Sequence, residues 1–139
     1  MTKLNQESGR SMVEMLGVLA IIGVLSIGGI AGYTMAMNRF RANEILNYAS
    51  QASILAQTAN AGNGANLDNG DIRTQLGLSA GGNEFQGAEI AAAASGTITL
   101  TNVQPKIADS INSIMGVDVC NAGTCTYCPT TREAGACAS

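Results

Sequence analysis

The chain has 139 residues, of which 46 % are hydrophobic, 12 % are charged and 4 % are aromatic, and its formal net charge is −3. This length allows one small domain together with one long additional segment. From Leu46 to Ser139 three cations stand against seven anions, a net charge of −4, and the lack of a basic patch excludes a domain that binds nucleic-acid backbone by itself.

An apolar run occupies the N-terminal part of the chain, after a short polar leader at residues 1–9. Between Glu14 and Arg39 no charged residue occurs over 24 positions. At ~1.5 Å per residue, a helix of that length measures ~36 Å, enough to cross a hydrocarbon core of ~30 Å. Residues 10–37 are therefore predicted to form a membrane-spanning helix. The five glycines in the run are common in membrane helices, and they also favour close packing and local stretching.

The leader ends in Gly9, Glu14 is the fifth residue after it, and the apolar helix follows at once. Together these features resemble the class III signal of type IV pilins and pseudopilins, over about residues 1 to 60. In that family a prepilin peptidase cuts directly after the glycine on the cytoplasmic side, and the new N-terminus is usually N-methylated. The resemblance implies cleavage between Gly9 and Arg10, although the family usually has Phe or Met where this chain has Arg10.

Glu14 is the one carboxylate at the start of the apolar run. A carboxylate in lipid costs roughly 2.5 kcal/mol or more, so it needs a partner or a proton. Cleavage would create an amine on Arg10, and the resemblance implies that this amine pairs with Glu14 of a neighbouring subunit during assembly. Two alternatives remain open. Glu14 can pair with the guanidinium of its own Arg10 one turn earlier, or it can be protonated, because removal from water favours the neutral carboxyl.

The helix is predicted to continue beyond the apolar run. Residues 38–60 contain no Pro and no Gly, and apolar side chains recur there at spacings of three and four. The members of this stripe are Ala42, Ile45, Leu46, Ala49, Ala52, Leu55, Ala56 and Ala59. A helix from Ser11 to Asn60 would measure ~75 Å, whereas the rest of the chain has a radius of gyration of only ~12 Å. These lengths predict a lollipop shape, in which the N-terminal half projects and the C-terminal half packs on a sheet.

Residues 61–139 are predicted to form an α+β head with a small antiparallel sheet. Residues 72–78 favour a short helix, and residues 88–94 fit either a helix or a strand. The strict alternation from Thr97 to Val103 predicts a strand. The side chains expected on one of its faces are Ile98, Leu100 and Asn102.

A further helix is predicted from Pro105, which favours a first turn, to Gly116, which favours a C-terminal cap. Its apolar residues at helical spacing are Ile107, Ile111, Ile114 and Met115. Residues 117–119 and 124–127 are predicted to form the last strands. This order of strand, Pro-initiated helix and cysteine-containing strand is similar in layout to the heads of type IVb pilins.

Four cysteines stand near the C-terminus, namely Cys120, Cys125, Cys128 and Cys137. The spacing at 125–128 also occurs in zinc sites and in thioredoxin-like redox sites, which remain alternatives. The poor ligand spacing of the other cysteines and the lack of histidine argue against zinc, and the lack of a βαβ pattern argues against redox catalysis. An even number of cysteines in a small exported domain favours two structural disulfides.

Those disulfides would place the head in an oxidising compartment and the N-terminus in the cytoplasm. A short hairpin turn at residues 121–124 would bring Cys120 beside Cys125. This turn favours Cys120–Cys125 and Cys128–Cys137, although four cysteines allow three connectivities.

The sequence predicts a protein that is not an enzyme and that needs no metal or cofactor. No Ser or Cys stands beside an evident base, no histidine is present, and no glycine-rich loop follows a strand. Asp68 and Asp71 hint at a calcium loop, but the glycine and terminal glutamate of an EF-hand are not in place. The acidic residues of the head, including Glu84 and Glu89, are interpreted as surface charge.

The resemblance implies a structural subunit that polymerises through its N-terminal helix into an extracellular filament. Such filaments serve adhesion, aggregation, motility or DNA uptake. The implied partners are other copies of the chain, the prepilin peptidase, and an assembly platform with its ATPase motor, and the precursor would reside in the inner membrane. The alternatives are a type II secretion pseudopilin, a minor pilin, or a monomeric binding domain anchored by a single membrane span.

Overall fold

The computed structural model of the chain describes residues 4–63, 66–79 and 82–137, with side chains of the first helix described from residue 11 to residue 59. It divides into two compact units, Met1–Met37 and Asn38–Ser139. The first helix, α1 (Leu4–Asn63), is uninterrupted and supplies residues to both units. The prediction of one long N-terminal helix is therefore confirmed.

The N-terminal unit, where it is described, consists of the first part of α1. Its large apolar side chains between Met12 and Met35 are 53–75 % exposed. Among the described residues, α1 is the one helix that is long and apolar enough to cross a membrane. An apolar surface of this extent indicates contact with lipid or with other protein surfaces.

The second unit is an α+β head, as predicted. Within the described residues it adds two helices and five strands to the second part of α1. These elements are α2 (Asn69–Gln75), β1 (Glu89–Ala92), β2 (Ile98–Thr101), α3 (Pro105–Met115), β3 (Cys120–Asn121), β4 (Thr124–Cys128) and β5 (Glu133–Ala134). The strands pair antiparallel in the order β1-β2-β4-β3, and β5 pairs with β4 as well.

The second part of α1 buries one stripe of small side chains in the core of the head. These residues, here called the alanine stripe, are Ala42, Ile45, Ala49, Ala52 and Ala56, each 0 % exposed. Leu46 and Leu55 pack against the core as partly buried neighbours. Ala59, also predicted on this face, is exposed. That part of the prediction is wrong because the core ends at Ala56, and residues 57–59 are all exposed.

A buried serine, which the apolar pattern did not reveal, lies beside the alanine stripe. Ser53 is 2 % exposed, and its Oγ donates a hydrogen bond of 2.9 Å to the carbonyl oxygen of Gly96. Gly96 lies in the turn between β1 and β2, and it is itself buried. The contact thus fixes the β1–β2 hairpin to α1, because a buried carbonyl needs a donor.

Two elements of the head begin or end at other residues than the sequence indicated. The first short helix was expected at 72–78, but α2 starts three residues earlier because Asp68 caps it. The Oδ1 of Asp68 accepts a hydrogen bond of 2.9 Å from the backbone N–H of Asp71. Residues 88–94, ambiguous in the sequence, contain the strand β1.

The predicted strand before α3 is confirmed in part. Ile98 and Leu100 of β2 are each 0 % exposed. The assignment of Asn102 to the same face is wrong, since its φ of 57° ends the strand. Its side-chain Nδ2 donates instead to the carbonyl of Gly87, at 2.9 Å. A left-handed asparagine with a local hydrogen bond is a common strand terminator.

The helix α3 begins and ends where the sequence indicated. Gly116 caps it with a left-handed φ of 75°. Ile107 and Ile111 are buried and Met115 is partly buried, whereas Ile114 is 37 % exposed. The strand expected at residues 117–119 is absent from the described structure, where the strand in this region, β3, begins at Cys120. The backbone N–H of Val119 donates to the side-chain Oδ1 of Asn112 at 3.0 Å.

Substitution of Ser53 tests the link between α1 and the hairpin. We expect Ser53→Ala to lower the free energy of unfolding by about 1–3 kcal/mol, because the carbonyl of Gly96 is left without a donor. Ser50→Ala is the matched control. Ser50 lies in the same helix, is exposed, and donates only to Leu46 of that helix, so its loss should stay within about 0.5 kcal/mol. Urea unfolding of the detergent-solubilised chain measures the free energy of unfolding of both variants. Equal losses of stability in the two variants would contradict the role of Ser53 in linking α1 to the hairpin.

Candidate functional site

Glu14 is the charged group in the apolar part of α1. Among residues 11–37, which the structure describes with side chains, it is the one charged residue. The hydroxyls of Ser26 and Thr34 are satisfied by the carbonyls of Ile22 and Ala31, at 2.7 Å and 2.9 Å. Glu14 has no such hydrogen bond or ion pair among the described residues, so its charge has to be compensated from outside them.

Glu14 shares its face of α1 with small residues. At ~100° per residue, four of the five glycines lie within about 60° of Glu14 around the helix axis, namely Gly17, Gly28, Gly29 and Gly32, whereas Gly23 lies on the opposite side. A Cβ added at any of these glycines meets no atom within 4 Å apart from its neighbours in the chain and the adjacent backbone of the same helix. This face therefore combines a carboxylate with positions where a second helix can approach closely.

The predicted cleavage site lies outside the part of the chain whose side chains are described. Gly9 and Arg10 belong to the backbone of α1. The side chain of Arg10 lies outside the described residues, and so does the ion pair between Arg10 and Glu14 that the sequence left open. Cleavage after Gly9 stays a prediction.

All four cysteines form disulfides, in the pairing that the hairpin argument favoured. Cys120 and Cys125 are joined across β3 and β4, and Cys128 and Cys137 are joined across nine positions. The turn of the first hairpin consists of Ala122 and Gly123, with φ of 48° and 82°, which are typical of a tight two-residue turn. Since each sulfur is covalently paired, none is a thiolate that can bind zinc or attack a disulfide.

The cysteine-rich region is hydrogen-bonded to two other parts of the head. Asn112 of α3 accepts the backbone N–H of Cys120 at 2.9 Å. The backbone N–H of Cys137 donates to the hydroxyl of Thr97 at 2.8 Å. These contacts hold both ends of the region, from β3 to the last described residue, against α3 and against the start of β2.

Glu84, which the sequence analysis interpreted as surface charge, is paired. The guanidinium of Arg73 lies 2.8 Å from Oε2 of Glu84, and the side chain of Arg73 is only 9 % exposed. The same guanidinium donates to the carbonyls of Ser79 and Gly82 and lies 4.5 Å from the ring centroid of Phe85. Arg73 therefore closes the loop after α2. Arg73 and Glu84 are 11 residues apart in the chain and share no helical or strand periodicity, so no local sequence pattern predicts their ion pair.

A groove runs along the head between α1, the end of α3 and the hairpin of β4 and β5. It has a volume of about 360 Å³. We call it the α1–α3 groove. Its lining residues are Asn43, Leu46, Asn47, Ser50, Ile114, Met115, Tyr127, Pro129 and Arg132.

Tyr127 is the most deeply buried residue of the α1–α3 groove. It is 2 % exposed, and its hydroxyl is the one buried side-chain polar atom without a hydrogen-bond partner among the described residues. Burial raises the pKa of Tyr127 above its ordinary value, because removal from water disfavours the phenolate. The hydroxyl therefore stays protonated and able to donate. The hydroxyl is closed off from the groove itself, so its unpaired state is an unfavourable term in the stability of the head.

The unpaired hydroxyl predicts the effect of Tyr127→Phe. At neutral pH we expect the free energy of unfolding to rise by roughly 1 kcal/mol, because a buried group without a partner is removed. In the native protein, stability should fall as the pH rises above ~10, the ordinary tyrosine pKa. Above that pH the unfolded chain loses a proton that the folded chain still holds.

Tyr127→Phe should abolish that alkaline loss. Tyr48→Phe is the control, since Tyr48 also packs against the core but is not the residue with the unpaired hydroxyl. The free energy of unfolding of the Tyr127→Phe and Tyr48→Phe variants is measured from neutral to strongly alkaline pH. A Tyr127→Phe protein that is less stable at neutral pH would show that the hydroxyl has a partner.

No family model, no curated protein and no solved structure matches this chain. The function therefore has to be inferred from Glu14, its helix and the disulfide-bonded head.

Proposed function

We propose that the chain is a type IV pilin-like subunit that polymerises through α1 into an extracellular filament. The observation that carries the proposal is that Glu14 is the single charged residue among residues 11–37 of α1, a segment whose large side chains are apolar and exposed. The alanine stripe on the later part of the same helix supports it, because it attaches the helix to a folded head. A helix with these two parts can leave a bilayer and enter the centre of a filament while the head stays folded.

Desolvation of Glu14 provides the physical basis of assembly. In lipid or between packed helices, an unpaired carboxylate is unfavourable by several kcal/mol. Cleavage after Gly9 would leave a free amine on Arg10. If the amine of an incoming subunit pairs with Glu14 of the preceding subunit, both charges are neutralised together. Such a pair also sets the axial offset between successive subunits.

The glycines on the face of Glu14 favour the pairing between subunits. Gly17, Gly28 and Gly32 lie on that face, and small residues allow helices to pack with their backbones close together. Close packing around Glu14 excludes water and increases the gain from a correctly placed amine. Pairing with the same chain's Arg10, or protonation, would compensate the charge without defining a position for a second helix.

The disulfides support an exported head. Cys120–Cys125 and Cys128–Cys137 are stable in an oxidising compartment and are rare in the cytosol. The head would lie outside, with the N-terminus in the cytoplasm before assembly. The proposed partners are further copies of the chain, a prepilin peptidase in the inner membrane, and an assembly platform with an ATPase motor.

The filament would serve adhesion, aggregation, motility or DNA uptake. Within the same family, a type II secretion pseudopilin or a minor pilin has the same requirements for Glu14 and for cleavage. A function of another class is a monomeric binding domain held in the membrane by α1. The α1–α3 groove is the observation that favours this second function.

Two substitutions of Glu14 test the proposed assembly mechanism. Glu14→Val removes the charge, so membrane insertion should be unchanged or improved while filament yield falls at least tenfold. Glu14→Gln keeps the shape and polarity of a protonated carboxyl. It should fail like Glu14→Val if a charged pair is needed, and it should assemble normally if Glu14 is protonated. Filament mass and membrane-bound subunit are measured in the same cells.

Glu44→Gln is the control for these variants, since Glu44 lies in the same helix beyond the apolar run and should not affect the yield. Normal filament yield from Glu14→Val cells would contradict the role of Glu14 in assembly. Loss of the protein from the membrane would instead show that Glu14 is needed for folding or insertion.

Processing is tested at Gly9. Mass spectrometry of the mature chain should give an N-terminus at Arg10, and Gly9→Val should leave the full-length precursor in the membrane. Ser8→Ala changes the neighbouring position and should be cleaved normally. A mature chain that still starts at Met1 or Thr2 would contradict the cleavage and, with it, the free amine that the assembly mechanism requires.

A further inference from the structure

We propose that Arg39 and Arg41, on either side of Phe40, bind the phosphate groups of anionic phospholipids and thereby seat the head on the membrane surface. We call these two cations the arginine pair. The inference rests on the membrane location of α1 within the proposed function, and it does not depend on cleavage or on filament assembly. All three residues belong to α1 and lie in the second unit.

The arginine pair begins directly after the apolar run. Arg39 is the first charged residue after Glu14, and it follows Met37, the last apolar residue of the run, by two positions. At ~1.5 Å per residue, it lies ~3 Å further along the helix. The headgroup layer on each side of a bilayer is about 5–7 Å thick. A helix whose residues 11–37 cross the hydrocarbon core therefore places the arginine pair in that layer.

The three side chains surround the helix at nearly one level. Successive residues differ by ~100° around the helix axis and by ~1.5 Å along it, so Arg39 and Arg41 point to opposite sides and reach different lipids. Phe40 lies ~160° from the buried Ala42 around the axis, and its side chain is 63 % exposed. It therefore faces away from the core of the head. An exposed aromatic ring between two cations suits the boundary between headgroups and acyl chains.

The arginine pair has no partner among the described residues, where the one ion pair joins Arg73 to Glu84. Arg39 is exposed and Arg41 is half-buried. Glu44, the carboxylate closest to them in sequence, forms no ion pair with either. A guanidinium binds phosphate oxygens through two parallel hydrogen bonds. Phospholipid phosphates would supply the partners that the described residues do not.

The side of the membrane on which the pair lies argues for a role in binding. Lysine and arginine are concentrated on the cytoplasmic side of membrane helices, where they set the orientation. The disulfides favour the opposite side for the head, so orientation does not account for two arginines there. From Leu46 onwards the chain carries a net charge of −4, which an anionic membrane repels. Two cations beside the lipid offset that repulsion.

Phe40 provides the position for a probe of the surrounding lipid. The chain contains no tryptophan, so Phe40→Trp introduces a single indole between the two arginines. The full Phe40→Trp chain is reconstituted into vesicles of phosphatidylcholine and phosphatidylglycerol in equal amounts. In one set the phosphatidylglycerol carries a nitroxide near the headgroup end of an acyl chain, and in the matched set the phosphatidylcholine carries it. Quenching of the indole fluorescence reports which lipid lies beside the arginine pair.

We expect the quenching to correspond to about fivefold more phosphatidylglycerol than phosphatidylcholine beside the indole, the preference that one basic residue gives at an anionic surface. Arg39→Gln combined with Arg41→Gln, in the same Phe40→Trp chain, should make the two lipids quench equally. Lys106→Gln is the matched control, because Lys106 is an exposed cation of α3 in the same head. It should keep the fivefold preference.

Equal quenching by the two lipids in the chain with both arginines would overturn the proposal, and it is the outcome expected if the pair binds carboxylates of a second copy instead. A preference that survives the double substitution, or an indole that neither lipid quenches, would overturn it too. Vesicle flotation and the number of free thiols show that each variant is inserted with both disulfides, and a chain that does not float would contradict the membrane location of α1. Since the vesicles contain no assembly machinery, failure of filament assembly would leave the expected lipid preference unchanged.

Discussion

The head depends on the burial of the alanine stripe of α1. Four of the five members of the stripe are alanines, and all five are 0 % exposed. A single methyl group allows the other elements to approach the helix backbone closely, and the large side chains of Phe85, Ile98 and Tyr127 then complete the core. Since large buried side chains already fill the core beside the stripe, a longer side chain in the stripe would overpack it at a cost of about 1–3 kcal/mol.

A polar contact and two disulfides extend this packing to the rest of the head. Ser53 ties the β1–β2 hairpin to the same helix, and the disulfides tie the last strands to one another. A small domain with few aromatic residues gains much of its stability from such cross-links. Among residues 11–37, whose side chains the structure describes, the helix packs against no such core, and its apolar surface is exposed in the isolated chain. This contrast indicates that the exposed apolar surface of residues 11–37 contacts lipid or other protein surfaces.

The sequence predicted the parts of the fold that depend on local pattern. Periodicity gave the long helix and α3, and alternation gave β2. Sequence pattern failed where a single side chain decides at which residue an element begins or ends. Asp68 caps α2, which therefore begins before the predicted residue, and Asn102 ends β2. The pair of Arg73 and Glu84 and the unpaired hydroxyl of Tyr127 depend on contacts between distant segments, which no periodicity records. Of the candidate sites, the disulfide pairing followed from a hairpin turn, whereas the α1–α3 groove needed the three-dimensional structure.

We propose that the subunits polymerise through α1, the helix that carries Glu14. The most direct measurement is electron microscopy of material sheared gently from the cell surface, combined with mass spectrometry of its protein. The account predicts filaments that contain this chain and that disappear from cells lacking it. A chain recovered only as a detergent-soluble monomer in the membrane, with no filament in the sheared material, would contradict it.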